Sequence, residues 1–342
     1  MKTHRITLSF LLLSICMVCF ISCSKDNEEI IEDDTILEEP IISIDNITHT
    51  VQNIATPIQG QPEARYLKYN LLDGVLYFQE LTGSPQNGAS LWAYTLSGNE
   101  FILKEARGTN FSWSGWGTQL FNLGNMFHID RTSQTRVMYY MPSIDDWVHL
   151  LVEVPNSIGY SSDVAAKGQT AYFLGGNFSN EFSSFNYGNN QWYNLAPFPI
   201  SIYKPLLINH ENYIYSISGM LTEGNSSSED TTFARYSITN NNWEILPELP
   251  FREYANIYGK EITIIKNRFL VVSTYASNDT SKLQIYDLQT QKWKEEPLEL
   301  NFSVTALFQH QDELIIVDQI YNEVTEKYFP RLYKVSLQNM PE

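Results

Sequence analysis

The residues best suited to chemistry in this 342-residue chain are aromatic and sit between apolar runs. The segment NFSWSGWG sets Trp113 and Trp116 among serine and glycine, company that a hydrophobic core rarely keeps. Tyr160, Tyr203 and Tyr254 stand at comparable places further on, and the fifth such place holds Val304, a departure. Flat aromatic faces in loops are suited to stacking on the apolar faces of sugar rings. Charged residues are close by in the chain: Arg107, Lys204, and Arg252 beside Glu253. Proton transfer on a sugar needs an acid–base pair, and Arg252, Glu253 and His128 are its possible members, with no spacing that singles them out. His128 with Asp130 and Arg131 also offers a set for an anionic sugar, for which a solvated salt bridge is the plainer alternative.

Other chemistries are excluded or poorly served. The three cysteines are Cys16, Cys19 and Cys23, so the body of the chain has no thiolate nucleophile, disulfide or cysteine-ligated metal. His128, His149, His210 and His310 are scattered, without a pair at metal-ligand spacing. No phosphate-cradling glycine loop and no nucleophile motif is present. The acidic run LTEGNSSSEDTT, with Glu223, Glu229 and Asp230, lacks the alternating ligands of a calcium loop and reads as a disordered loop. No metal and no cofactor is expected.

The elements that must position these residues come from a repeat. An aromatic followed seven residues later by a second hydrophobic occurs as Tyr94/Phe101, Tyr140/Trp147, Phe185/Trp192, Tyr236/Trp243, Tyr286/Trp293 and Tyr333/Met340, with successive copies 45 to 51 residues apart. Between the two lie turn formers: Ser97-Gly98-Asn99, Asp145-Asp146, Gly188-Asn189-Asn190 and Asn240-Asn241-Asn242. Asn and Gly tolerate the positive φ of tight hairpins, so each copy reads as a β-hairpin. Apolar strands such as AYFLGG, NYIYSIS, RFLVVS and ELIIVD precede the hairpins. Three or four strands in such a unit cannot bury both faces alone. Radial stacking buries them, and the period predicts an all-β, six-bladed β-propeller with four-stranded antiparallel blades. The sixth copy ends at the C-terminus after its third strand, so an N-terminal strand within IISIDNITHTV, 41–51, is expected to close the ring and remove an open edge.

YDLQTQKW, YSITNNNW and FNYGNNQW, each followed by proline, resemble the kelch repeat, whose hallmarks are a glycine pair, a later tyrosine and a tryptophan after a turn. Gly175-Gly176 is the one clean glycine pair; Ser218-Gly219 and Ser273-Thr274 stand in the next two copies. The likeness runs from about residue 64 to the end, strong in three copies and weak in the first and last. It implies a ligand site on the face where blade-to-blade connections and second-to-third-strand loops gather, around a central channel. Trp113, Tyr160, Tyr203 and Tyr254 fall at that face as sugar-stacking residues, or else begin the innermost strands and pack between blades. Galactose oxidase, a kelch-like copper enzyme, uses a Cys–Tyr crosslink that this body cannot form. Three classes of function stay open: a propeller that binds a carbohydrate or protein ligand without turnover, a sugar-modifying enzyme of mutarotase, epimerase or lyase type, and an accessory subunit of an outer-membrane assembly.

The N-terminal segment reads as an address. Lys2, His4 and Arg5 precede the apolar run ITLSFLLLSICMVCFI, too short for the roughly 20 residues of a membrane span. It ends in FISC, which resembles the lipobox of bacterial lipoproteins and implies a signal peptide over 1–22 with lipid on Cys23. Residues 23–40, CSKDNEEIIEDDTILEEP, form an acidic tether similar to the export signal of a class of Gram-negative surface lipoproteins, and 41–342 form the propeller. Outer-membrane anchoring is therefore expected, with cell-surface exposure and a periplasmic orientation both open. Net charge is −17, and losing Lys2 and Arg5 with the leader makes it −19, which disfavours nucleic acid as a partner.

Overall fold

The computed structural model describes residues 43–55, 67–80, 91–98, 100–104, 119–130, 136–158, 162–175, 179–223, 226–251, 261–275, 281–298, 300, 304–324 and 326–341. These form 24 strands in six four-stranded antiparallel sheets, arranged as a six-bladed propeller, with no α-helix among the described residues. A short 3₁₀ turn, Ile44–Asn46, precedes β1 (Thr48–Ala55). Blade one holds β2 (Leu67–Leu72), β3 (Val75–Glu80), β4 (Leu91–Thr95) and β5 (Glu100–Lys104). Blade two holds β6 (Gln119–Asn122), β7 (Met126–Asp130), β8 (Arg136–Met141) and β9 (Asp146–Leu150). Blade three holds β10 (Ser162–Lys167), β11 (Thr170–Gly175), β12 (Phe182–Asn186) and β13 (Gln191–Asn194). Blade four holds β14 (Leu206–His210), β15 (Tyr213–Glu223), β16 (Ser226–Ser237) and β17 (Asn242–Ile245). Blade five holds β18 (Ile262–Ile265), β19 (Phe269–Tyr275), β20 (Ser281–Asp287) and β21 (Lys292–Pro297). Blade six joins β22 (Ala306–His310), β23 (Glu313–Asn322) and β24 (Lys327–Gln338) to β1, in the order β1-β24-β23-β22.

The repeated aromatics are what make the outer hairpins alike. Tyr94, Tyr140, Phe185, Tyr236 and Tyr286 each sit directly across the ladder from Phe101, Trp147, Trp192, Trp243 and Trp293. Directly opposed side chains on one face of a pair make the strongest cross-strand contacts. The ring centroids lie between 4.7 Å (Tyr94–Phe101) and 5.6 Å (Tyr140–Trp147) apart. Two residues before the second aromatic, Asp145, Asn190, Asn241 and Gln291 all have φ between +50° and +57°. The turn is thus fixed in the left-handed region, where Asn and Asp are tolerated best. Asn241 also receives two hydrogen bonds on Oδ1, from the Tyr236 hydroxyl at 2.7 Å and from the Ala196 N–H of blade three at 2.9 Å.

Apolar seams between neighbouring blades hold the ring. Six buried clusters each take side chains from two adjacent blades, including one between blades six and one. Trp243 shows how a repeat residue serves the seam: its ring meets Phe182 and Phe198 of the preceding blade at 4.9 and 4.8 Å, and its Nε1 donates to the Ala196 carbonyl at 3.0 Å. Burying one such aromatic is worth about 2–3 kcal/mol, against about 0–1 kcal/mol for an exposed ion pair such as Lys282–Glu295. Packing therefore decides the stability of the ring.

Closure is as expected: the closing strand falls within 41–58, later than the apolar run that suggested it. The closing strand is β1, antiparallel to β24 from Thr48↔Gln338 to Ala55↔Leu332, four residues beyond where the expected segment ends. Ile44 and Ile47 do not extend the strand; they plug the seam between blades five and six. Glu296 of β21 ties this stretch down, accepting from His49 Nδ1 at 2.7 Å and from Lys294 Nζ at 3.1 Å, while the Lys294 ammonium also donates to the Ile47 carbonyl. The sixth copy of the repeat is consequently not a hairpin: Tyr333 faces Asn53 of β1, and Met340 is buried past the end of β24. The acidic run expected to be a disordered loop is also corrected. Its backbone continues the β15–β16 ladder as far as Glu223↔Ser226, with a register shift between Ile217 and Gly219.

Candidate functional site

The innermost strands β2, β6, β10, β14, β18 and β22 lie side by side in succession around the centre. They enclose a cavity of about 210 Å³ lined from all six blades. Aligned through the ladders, the residues at the start of these strands are Lys68, Gln119, Asp163, Leu206, Glu261 and Ala306. Repetition has vanished here: one cation, two acids, one amide and two aliphatics occupy equivalent places.

Lys68 and Asp163 both face the cavity. Burial pushes the Lys68 ammonium down to about 8; Asp163 opposes that shift, and Lys204 adds to it by repulsion. Asp163 Oδ2 accepts from the Leu207 N–H at 2.6 Å, which aims the carboxylate across the seam between blades three and four. Lys204 is held by an unusual backbone. It has φ +54° immediately before Pro205, where a non-glycine residue is disfavoured, and its Nζ lies 4.9 Å from the centre of the Tyr203 ring. Gly175 makes room for this segment: at φ +80°, any Cβ it carried would come within 3.1 Å of Pro205 Cδ and 3.4 Å of the Ile202 carbonyl. The first glycine of the clean pair thus has a steric reason in the path of the next blade's entry.

His128 lies within β7, opposite Leu120 and Met138, fully buried with its ring 5.8 Å from that of Trp147. Burial, with Lys68 second, lowers its pKa to about 3, so the imidazole is neutral at physiological pH. Its ring is close enough to Lys68 to be influenced by that charge. Tyr203 is half-buried beside Lys204. Val304 is buried in the seam between blades five and six. Trp113, Trp116, Tyr160, Arg252, Glu253, Tyr254 and Arg131 lie outside the described residues, as do Arg107 and the lipidation candidate Cys23.

Sequence reasoning missed Lys68, Asp163, Asn70 and Asn122. The available signal was a polar residue interrupting a short apolar strand just after a blade-to-blade connection, as in YLKYN and SSDVAAK. Asn122 bridges blades two and one through Nδ2, which donates to the Leu71 carbonyl at 2.7 Å. Among the described residues no group of three or more His, Asp or Glu is placed to hold a metal ion.

No protein-family model matches the sequence, and neither does any curated protein. Among solved structures the chain is similar to one described as "Structure of YjhT", at 12% identity and a TM-score of 0.59, over 83% of this chain and 99% of that chain. At that identity the likeness is one of fold, and it supports the propeller.

Proposed function

We propose that this protein is a kelch-like propeller, anchored to the outer membrane by a lipid on Cys23, that binds a small anionic glycan at the mouth of its central channel. The observation that carries the reading is Lys68, a cation that lines the cavity together with Asp163 and a mostly apolar wall. An ammonium in a mostly apolar wall favours an anionic group on the ligand. Its 210 Å³ is below the roughly 300–1,000 Å³ of drug-sized pockets, which suits one sugar ring better than a chain. In this proposal Trp113, Trp116, Tyr160, Tyr203 and Tyr254 supply stacking surfaces around the mouth, and Arg131, Arg252 and Glu253 supply polar contacts there. A thermal-shift screen of mono- and oligosaccharides tests it: acidic sugars should raise the melting temperature, neutral ones less, and Lys68→Met should abolish the difference. A screen in which no acidic sugar shifts the wild type would end the proposal. The anchor is tested separately, since Cys23→Ala should move the protein out of the membrane fraction; unchanged fractionation would refute it.

A second reading has one observation in its favour. With its pKa near 8, Lys68 is partly neutral at pH 7–8 and can act as a base, which suits a sugar-modifying enzyme of mutarotase or epimerase type. Saturation-transfer NMR on an acidic sugar decides between the two: accelerated anomer exchange lost in Lys68→Met supports turnover, and unaccelerated exchange with binding retained supports a pure binder.

A further inference from the structure

We propose that the hairpin rising from blade six carries a second glycan-binding site, in which Tyr321 and Tyr328 stack on the rings of a neutral oligosaccharide outside the channel. The inference goes beyond the binding reading above and does not depend on Lys68. In blade six Ala306, at the start of the innermost strand, pairs with Val317, yet the β23–β24 ladder continues unbroken to Asn322↔Lys327. Tyr321 therefore stands four residues past the level of Ala306, about 13 Å beyond the start of the inner strand on the mouth side. Val317 and Leu332 are buried in the seam with blade one. Residues two and four places along a strand share its face, so Tyr321 and Tyr328 rise on the blade-one side of the hairpin. The hairpin is fixed at its root, where the wholly buried Asp318 accepts from Arg331 Nε at 3.1 Å and from Arg331 Nη2.

Tyr321 and Tyr328 are directly opposed across the ladder, with ring centroids 5.0 Å apart and planes 51° apart. The repeat pairs at the rim share this arrangement, but there Tyr94, Tyr140, Phe185, Tyr236 and Tyr286 are sealed in the core. Here both rings stay open to water, at 46% and 42% exposure, with Val324 of the turn also exposed. Rings already held against each other lose little freedom when a ligand settles on them. The size of the patch selects its occupant. At about 150–250 Å² for each aromatic side chain, the pair leaves roughly 130–220 Å² free. Even with Val324 added, that falls well short of the roughly 800 Å² each partner gives to a stable protein interface. The apolar face of a sugar ring needs no more than such a patch. The turn sets Glu323 and Glu326 against Lys327 alone, so it offers an anionic chain no net attraction. The ligand class is accordingly a neutral oligosaccharide.

Calorimetric titration of the purified full chain with maltohexaose and with cellohexaose tests this. The wild type should bind at least one of them. Tyr321→Ala and Tyr328→Ala should each weaken that binding by about ten-fold, whereas Tyr321→Phe and Tyr328→Phe, which keep the ring, should stay within about three-fold. Melting temperatures should remain within about 4 °C of the wild type, because an exposed cross-strand pair adds little to a ring of this size. Lys68→Met should leave the binding unchanged, so this site stands or falls separately from the channel. The proposal is overturned if neither hexasaccharide binds the wild type at millimolar concentration, or if both Ala variants keep full affinity. Phe variants as weak as the Ala variants would replace stacking by a hydroxyl contact and overturn it as well. Binding lost in Lys68→Met and kept in the tyrosine variants would move the sugar to the channel. A dimer in sedimentation that Tyr321→Ala dissolves, without any sugar bound, would make a second copy the occupant and end the glycan assignment.

Discussion

The outer hairpins and the inner strands of the same blades follow opposite rules. At the rim, five blades place an aromatic pair at the same ladder position, and in four of them a left-handed residue two places before the second aromatic fixes the turn. At the centre, equivalent positions carry Lys68, Gln119, Asp163, Leu206, Glu261 and Ala306, no two alike. The rim solves one problem five times, which is how to seal a blade against its neighbour. The centre faces a single cavity from six directions, so its residues need to differ. In a ring of repeats, then, sameness reports the scaffold and divergence reports the site.

The sharpest way to break the rim is to remove the strand that closes it. Deleting 41–58 takes away β1 and withdraws Ile44 and Ile47 from the seam. Two buried isoleucines alone are worth about 3–6 kcal/mol, so the melting temperature should fall by roughly 10–20 °C, measured by circular dichroism. An unchanged melt would show that the ring does not depend on the clasp. A smaller break at the rim is Trp243→Ala, expected to cost about 3 kcal/mol through its lost contacts with Phe182 and Phe198, with ligand shifts at the channel unaltered. Loss of ligand binding in a variant that still melts cooperatively would contradict the division between rim and centre.

The smallest effect belongs to the centre. Because Lys68 titrates at about 8 in the folded chain and near 10.5 when unfolded, the unfolded state holds the extra proton between those values. Stability in urea should therefore rise as pH climbs from about 8 to about 10.5, and Lys68→Met should flatten the rise. The same titration should weaken anion binding above pH 8. A slope that persists in Lys68→Met would assign it to another group.

The rim was readable in the sequence for a physical reason. Tyr236 and Trp243 are seven residues apart and meet across one tight turn, so spacing and turn chemistry suffice to find them. The clasp was readable as an unpaired edge needing a strand, although Ile44 and Ile47 were mistaken for strand residues because seam plugs are equally apolar. The centre was not readable, since Lys68, Asn122 and Asp163 are brought together by three different blades and no local spacing connects them. Their shared level emerges only once the ladders are counted.

The pairing of β1 with β24 also orders events in time. Thr48 finds Gln338 only across nearly the whole length of the propeller, and such distant pairings are the slowest to form. During synthesis, β1 waits for β24. Blades one to five can assemble from neighbouring segments as they appear, whereas blade six has no complete sheet until β24 arrives. Ring closure is thereby the last step of assembly, since it waits for the final strand.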